Sequence, residues 1–498
     1  MFSPSLEEAK NISKDKKYKR IPVSFELFSD IATPIEVLRV LKAISNHCYM
    51  LESIEDAEKW GRYSFLGFDP LLEFTCQDGT VRIKGSENFD EFNDDEIVIK
   101  TDNPSEIIRD LVNKNKSPKL DYLPPFTGGF VGYFAYDYIK YAEPSLNLDA
   151  ENQDQFKDID LMLFDKVIAF DNFKQKIILI SNIKTDDLEN NYEKACDDLK
   201  QLASLIKNGK KAEIEPLKLK SDFKPCFSRE KYCDMVLKAK HYIKEGDIFQ
   251  VVLSNKIEAE ISGSLFDTYR VLRTTNPSPY MFYFSSNDIE IAGASPETLV
   301  KLTDRQLYTF PLAGTRPRGK TEEEDLELER ELLSDEKELA EHNMLVDLGR
   351  NDIGRISEIG SVYVDKYLSV ERFSHVMHIG STVSGTLRSD LDSLMAIDSI
   401  LPAGTLSGAP KIMACEIINE LEDNKRGIYG GAIGYVDLSG NIDTCISIRI
   451  AFARNNKVFI RSGAGIVADS VPEMEFEESL NKAAAVINAL KIADGGIE

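Results

Sequence analysis

The sequence has no CxxC pair. Its seven cysteines, Cys48, Cys76, Cys196, Cys226, Cys233, Cys415 and Cys445, are scattered and odd in number, which argues against a disulfide framework and suits free thiols in a reducing compartment. No apolar run is long enough to span a bilayer, and the opening residues MFSPSLEEAKNISKDKKYKR are too polar for a secretory signal. Acidic residues come too early for an organellar transit peptide. The cytoplasm is the expected compartment. Positive charge is also scarce: 60 Lys and Arg face 84 Asp and Glu, a formal net charge of −24. Nucleic acid and anionic membrane both need basic patches, so neither is an expected partner. An anionic small substrate would need local Arg, Lys, backbone N–H groups or a metal ion to offset that global field. There is no internal repeat.

What is present is ordinary globular composition, 42% hydrophobic and 29% charged over 498 residues, enough for a large core without staples. Residues 1–20 read as a loose polar lead-in. From Ile21 to Ile183 short apolar runs such as RYSFLGF, FTGGFVGYFAYDY and KVIAF–KIILIS alternate with turn signals, as strands of a half-buried sheet do. Residues 184–207 read as a charged helix. The Lys-rich stretch 208–227, with two prolines, reads as a linker between segments 21–215 and 226–495. Tyr232, Met235, Val236, Ala239 and Ile243 then recur at helical spacing and stop at Gly246. Residues 427–466, punctuated at SGN and RNN, have antiparallel meander grammar. The expected class is α+β with large antiparallel sheets.

Two acid pairs stand out. Glu338 and Glu341 share a helix face with Leu345 and Leu348, behind a capping signal at Asp335. Glu475 and Glu478 repeat the spacing ahead of Leu480, Ala484 and Ile487, with Ser470 and Glu473 as a possible cap. An ExxE pair alone reads equally as solvated helix charge. Two such pairs at the ends of apolar faces are also what a hard cation such as Mg²⁺ needs, because it takes oxygen ligands.

Three segments combine glycine with a hydroxyl or a base: PLAGTRPRGK (311–320), LPAGTLSGAPK (401–411) and IRSGAGI (460–466). Such segments let backbone N–H groups approach an anion, although each alone reads equally as a turn. Arg449 lies in the strand-like run CISIRIAF, a place where an arginine often pairs with a carboxylate of the protein or of a ligand. Of five histidines, His375 and His378 share FSHVMHIGS. A histidine there is either a packed core residue or a proton-transfer group.

Taken in order, GDIFQVVLS (246–254), GASPE (293–297), PLAGTRPRG (311–319), DEKELAEHNMLVDLGRNDIGR (335–355), PAGTLSGAPK (402–411), YGGAIGYVDLSGNIDTCISIRI (429–450) and SGAGIVADSVPEMEFEES (462–479) resemble the chorismate-utilising enzymes over essentially all of residues 226–490. The resemblance implies two large, mainly antiparallel sheets packed together and flanked by helices. It implies a catalytic domain at 226–495 and an N-terminal domain at 21–215 that contributes a feedback site.

Within that family the choice of chemistry falls on a few positions. Gln250 stands where the isochorismate and salicylate branch has a water-activating Lys, and Ala313 where covalent aminodeoxychorismate synthases have a nucleophilic Lys. His378 is similar to the histidine of the anthranilate synthase branch. NPSPYMFY (276–283) and MLESIEDAEKWGRYSFLG (50–67) resemble that branch's tryptophan-binding segments. Small departures, Asn255-Lys256 where Gln-Arg is more usual and Met50 before Leu51, touch no residue with an assigned role.

The resemblance therefore implies the large subunit of an anthranilate synthase, which turns chorismate and ammonia into anthranilate and pyruvate. It places Glu297 as general acid, with His378 and Thr315 also catalytic. Gly314, Thr315, Thr405, Tyr429, Arg449, Gly463, Ala464 and Gly465 would bind substrate. Glu341 and Glu478 would hold Mg²⁺, supported by Glu338 and Glu475, and Glu52, Ser53, Pro279, Tyr280 and Met281 would bind tryptophan as inhibitor. No cysteine lies in a Gly-x-Cys-x-Gly elbow, so a separate glutamine amidotransferase subunit is expected to supply ammonia. The rival readings are the aminodeoxychorismate synthase large subunit of folate synthesis and a non-catalytic tryptophan-binding regulator. Ala313, Met281 and His378 speak against the first, and the intact acid pairs against the second.

Overall fold

Strand after strand in this chain is apolar on both faces. In Lys166–Asp171, Val167 and Ala169 enter an aromatic-rich core, while the alternating Ile168 and Phe170 pack on the opposite side. The neighbouring Lys176–Lys184 strand repeats this with Ile178 and Ile180 on one side and Ile177 and Leu179 on the other. Such strands read as continuous hydrophobic runs because no face meets water. The expectation of half-buried strands is corrected accordingly: RYSFLGF and KVIAF–KIILIS are covered on both sides.

The computed structural model describes residues 2–53, 61–85, 96–372 and 376–497. Residues 54–60 of the MLESIEDAEKWGRYSFLG segment and His375 lie outside them. Among the described residues there is one sheet of 14 strands and one of 12, with antiparallel ladders. They stack face to face over a core that includes Tyr49, Phe65, Tyr133, Phe164, Phe282 and Phe452. Helices Pro34–Lys42, Leu188–Asn208, Phe266–Thr275 and Pro472–Ala493 cover the outer face of the larger sheet. Helices Pro104–Lys114, Glu336–Gly354 and Ser393–Ile400 cover that of the smaller. The result is the expected α+β pair of packed antiparallel sheets. No described helix is long and apolar enough to cross a membrane.

Each sheet joins a block of strands from before residue 185 to a block from after residue 217. In the larger sheet the halves meet where Cys48–Glu52 pairs with Tyr280–Ser285, with Glu52 opposite Met281. In the smaller they meet where Gly129–Phe134 pairs with Ala432–Asp437, with Gly132 opposite Gly434.

Three local expectations change. Residues 1–20 are folded: Phe2–Ser3 pairs with Arg20–Phe28, and Leu6–Ile12 is a helix closed by a Ser5–Glu8 capping box. The 208–227 stretch is tied down, because Lys218–Leu219 and Lys224–Pro225 both pair with the Gln250–Ser262 strand. Ser470 does not cap the last helix. That helix starts at Pro472 behind Val471, and the Ser470 hydroxyl instead accepts a bond from the Val467 N–H.

Gly434 has φ of +156°, and a Cβ there would sit 2.1 Å from the Asp443 carbonyl oxygen. No rotamer relieves a backbone clash of this kind. Gly434→Ala is expected to lower the unfolding free energy by about 2 kcal/mol or more, measured by urea titration followed by circular dichroism.

Candidate active site

A chain buried on both faces can present polar groups only where it leaves a sheet. Pro296–Glu297 crosses from the Glu290–Ser295 strand of the larger sheet to the Thr298–Thr303 strand of the smaller. Ser447–Arg449 makes the reverse crossing, from Ile442–Ile446 to Ile450–Arg454. The two lie side by side. Ile446 N–H donates to the Glu297 carbonyl (2.9 Å), Ser295 Oγ donates to the Ile446 carbonyl (2.7 Å), and Ala294 N–H donates to the Arg449 carbonyl (3.1 Å). The Tyr429–Gly431 turn joins them, since Gly430 N–H reaches the Ser447 carbonyl and Ser447 N–H the Gly431 carbonyl, both at 2.9 Å.

Glu297 is buried, and Thr405 Oγ1 donates to its Oε1 at 3.2 Å. A cavity of about 30 Å³ beneath it is walled in part by Leu345, Leu348 and Ala403. Burial pushes the Glu297 carboxyl up to about 8, against the opposing pull of Thr405, Lys482 and Arg449. It is a carboxylic acid at neutral pH, with a proton to give.

Arg449 has φ of +54°, a left-handed backbone that is rare outside glycine. That turn re-aims its side chain at the crossing point. Among the described residues its guanidinium bonds only the Lys482 carbonyl, at 3.1 Å, and no carboxylate. Burial lowers its pKa, while Tyr429, Glu478 and Glu297 act in the other direction. A cation so placed is a receptor for an anionic ligand.

His378 lies on the Val376–Thr386 strand, opposite a bulge in Leu312–Pro317 where the register shifts between Ala313 and Arg316. The bulge presents Gly314 and Thr315 to the ring: His378 Nδ1 is 2.7 Å from the Gly314 carbonyl and 3.1 Å from Thr315 Oγ1. A carbonyl only accepts, so Nδ1 carries the proton and Nε2 is the basic nitrogen. Burial lowers the His378 pKa, with Arg449 acting the same way. The imidazole is neutral at pH 7. Gly314 has φ of +66°, and a Cβ there would lie 3.2 Å from Glu338 Oε2, so the glycine keeps space open between the bulge and the acid pair.

The acid pairs come from two helices. Asp335 caps Glu336–Gly354 by accepting from Lys337 and Glu338 N–H groups. Burial raises the Glu341 pKa, as do the charges of Glu338 and Glu478. Burial and Glu478 likewise raise Glu475, while Ser470 lowers it. Glu341 therefore feels Glu478 across the two helices, as well as Glu338 on its own. Lys482 forms a 2.6 Å ion pair with Glu478, and Arg316 lies 3.6 Å from Glu338. No three described His, Cys, Asp or Glu side chains converge as a ready metal cage. Oxygen-only donors under mutual repulsion nevertheless suit a hard divalent ion bound through two of them.

Gly463, Ala464 and Gly465 lie on Lys457–Ile466, opposite Ser254, Leu253 and Val252 of the long Gln250–Ser262 strand. The proposed inhibitor residues collect elsewhere, at the seam of the larger sheet. Met281 is buried opposite Glu52, Pro279 and Tyr280 lead into its strand, and the Ser53 hydroxyl is buried without a partner among the described residues. The Glu52 carboxylate is already bonded by Tyr269 Oη (2.5 Å) and by Arg273, whose Nη2 is 2.9 Å away.

Three further side chains belong to the site region. Lys482 acts on Glu297, Glu341 and Glu475, and its one signal in the sequence is its position four residues after Glu478. Gln250 Oε1 and Ser447 Oγ are buried without partners among the described residues. The Ser447 signal appears only once the crossing is folded.

Comparison with known proteins accounts for this arrangement. The profile of the family described as chorismate binding enzyme matches residues 32–488. Anthranilate synthase component 1 of Acetivibrio thermocellus is 45% identical over 99% of this chain and 99% of its own length. The crystal structure of anthranilate synthase component I from Streptococcus pneumoniae superposes with a TM-score of 0.73 and 38% identity, covering 92% of this chain and 98% of that one. A menaquinone-specific isochorismate synthase from Escherichia coli, 18% identical with a TM-score of 0.68 over 97% of this chain and 98% of that one, shares the fold.

The raised Glu297 pKa has a consequence for stability. The contribution of the protonated carboxyl is fully present below the ordinary value of 4.5 and is lost as pH rises through about 8. Glu297→Gln cannot ionise. Its stability relative to the unaltered protein is expected to increase steadily between those two values, measured by urea unfolding at stepped pH. A difference that does not change with pH would show that Glu297 ionises normally.

Proposed function

The chain belongs to the chorismate-binding enzyme family, and we propose that it makes anthranilate and pyruvate from chorismate and ammonia, as the large subunit of an anthranilate synthase in tryptophan synthesis. The observation that carries this reading is a carboxylic acid, Glu297, kept protonated at neutral pH beside Arg449, a cation that pairs with no carboxylate of the described residues. One is a proton donor, the other an anion receptor. Near-full-length similarity to anthranilate synthase component 1 proteins points to the same reaction.

Arg449, Tyr429, Thr405 and the N–H groups of Gly463, Ala464 and Gly465 receive the enolpyruvyl carboxylate. Gly314 and Thr315 line the ring. Glu297 gives its proton to the ring hydroxyl, which leaves as water while ammonia forms the new C–N bond. His378 then takes the ring proton at Nε2 as the ring C–O bond breaks and the ring becomes aromatic, and the departing enolpyruvate takes that proton back at its methylene carbon to become pyruvate. Its Nδ1 proton is held by the Gly314 carbonyl throughout, with Thr315 beside it.

Glu341 and Glu478 would hold Mg²⁺, with Glu338 and Glu475 supporting them. When bound, the ion supplies positive charge for the ring carboxylate in a protein of net charge −24. Ammonia comes from a separate glutamine amidotransferase subunit. Tryptophan binds at the sheet seam around Glu52, Ser53, Pro279, Tyr280 and Met281 as a feedback inhibitor. The scattered thiols fit the cytoplasm. Ala313 in place of a nucleophilic lysine, together with Met281 and His378, speaks against the aminodeoxychorismate reading.

Purified protein given chorismate, Mg²⁺ and an ammonium salt at alkaline pH is expected to produce anthranilate fluorescence. The signal should need Mg²⁺ and fall when tryptophan is added. Chorismate consumed without anthranilate would shift the reading to the aminodeoxychorismate branch.

His378→Ala should lower anthranilate formation by about a hundredfold or more and let aminodeoxyisochorismate accumulate, detected by mass spectrometry. Normal anthranilate output from this variant would remove His378 from the second step.

A further inference from the structure

Glu422 ends the Lys411–Glu422 helix with its carboxylate fully buried. Five bonds converge on it. Oε1 accepts from Ser254 N–H (2.7 Å), Ser254 Oγ (2.9 Å) and Arg426 Nη2 (2.5 Å). Oε2 accepts from Arg426 Nε (3.0 Å) and Arg461 Nη2 (2.6 Å). Both guanidiniums are buried as well. One carboxylate between two arginines leaves one positive charge inside the protein.

Arg461 Nη1 also donates to the Lys425 carbonyl at 3.0 Å, and other bonds of this cluster run to the parts of the site that receive the substrate. Arg426 Nη1 donates to the Leu406 carbonyl at 2.6 Å, next to Thr405, and Nη2 to the Val252 carbonyl at 2.6 Å, opposite Gly465. Its guanidinium lies over the Tyr136 ring at 4.6 Å and 5.9 Å from the Tyr429 ring centre. Arg461 Nε donates to Ser254 Oγ at 2.8 Å, and Ser254 stands opposite Gly463. A single carboxylate thus ties together the Thr405 turn, Tyr429 and the Gly463–Gly465 strand.

We propose that Glu422, Arg426, Arg461 and Ser254 form a positioning cluster for chorismate: they fix the three elements that grip its enolpyruvyl carboxylate and back them with a net positive charge. The cluster touches neither substrate nor reacting atoms. This inference rests on the proposed anthranilate-forming reaction. A cluster that served only folding would change the amount of active protein and leave both Michaelis constants alone. A positioning cluster should change the one for the dianionic substrate selectively.

The test is steady-state kinetics on the purified chain with ammonium as nitrogen donor, with thermal melts run in parallel, for Ser254→Ala, Arg461→Lys and Arg461→Gln. Ser254→Ala removes one hydroxyl and no charge. Its KM for chorismate is expected to rise about threefold, with KM for ammonia unchanged. Arg461→Lys keeps the charge and loses the fork, and should fall between Ser254→Ala and Arg461→Gln. Arg461→Gln removes the surplus charge, and its chorismate KM should rise about tenfold.

If Arg461→Gln fails to fold, the two milder variants decide. Chorismate KM unmoved in Ser254→Ala and Arg461→Lys proteins that melt like the unaltered chain would overturn the proposal. So would a parallel rise in both Michaelis constants. Absence of anthranilate from the unaltered chain would instead overturn the reaction on which the proposal rests.

Discussion

Sheets covered on both faces leave polar chemistry almost nowhere to go. In the central strands most side chains point either into the aromatic layer between the sheets or under the flanking helices. A polar group there needs a partner or must give up its charge. Two buried glutamates illustrate the alternatives. At Glu422 burial pushes the pKa up, but Arg426 and Arg461 outweigh it and hold the carboxylate below its usual range. Among the described residues Glu297 receives one side-chain hydroxyl bond and no ion pair, so burial wins and the proton stays on. The first serves as an anchor and the second as an acid. The same side chain in the same interior has two roles, decided by how many donors surround it. Removing one member of a buried ion group costs about 3–5 kcal/mol, so Glu422 cannot easily be exchanged without its arginines.

The global charge of −24 is opposed within the site. Lys482 draws down the pKa of Glu297, Glu341 and Glu475, Arg449 does the same to Glu297, and Glu478 and Glu297 act in turn to raise that of Arg449. At these short distances inside a poorly polarisable wall, a few charges outweigh many on the wet surface, which solvent and salt screen. A substrate anion entering here meets a local field that composition does not describe.

Much of this was visible beforehand. The ExxE spacing located Glu338, Glu341, Glu475 and Glu478 on two helices, and the meander grammar of residues 427–466 gave the strand that carries Gly463, whereas Arg449, read as part of a strand-like run, lies in the crossing between the two sheets. Ser470 was misread as a cap because hydroxyl–x–x–acid spacing is common, whereas Pro472 and Val471 set the helix start. Residues 1–20 looked loose because their single short helix depends on a capping box and a sheet edge, and periodicity does not reveal either. Half-buried strands were expected where a continuous run such as KVIAF signals burial on both sides. Lys482 and Ser447 stayed hidden because their importance lies in what folding places beside them.

The seams at Glu52–Met281 and Gly132–Gly434 have a bearing on biosynthesis. Strands from the first part of the chain leave the ribosome long before the strands that complete both sheets. Translation proceeds at about 5–20 residues per second, so for many seconds the nascent protein carries two open sheet edges made of its most apolar sequence. Such edges are templates for pairing with other chains. The continuity that builds the finished interior thus leaves the half-made protein with edges open to mispairing until its second half is made.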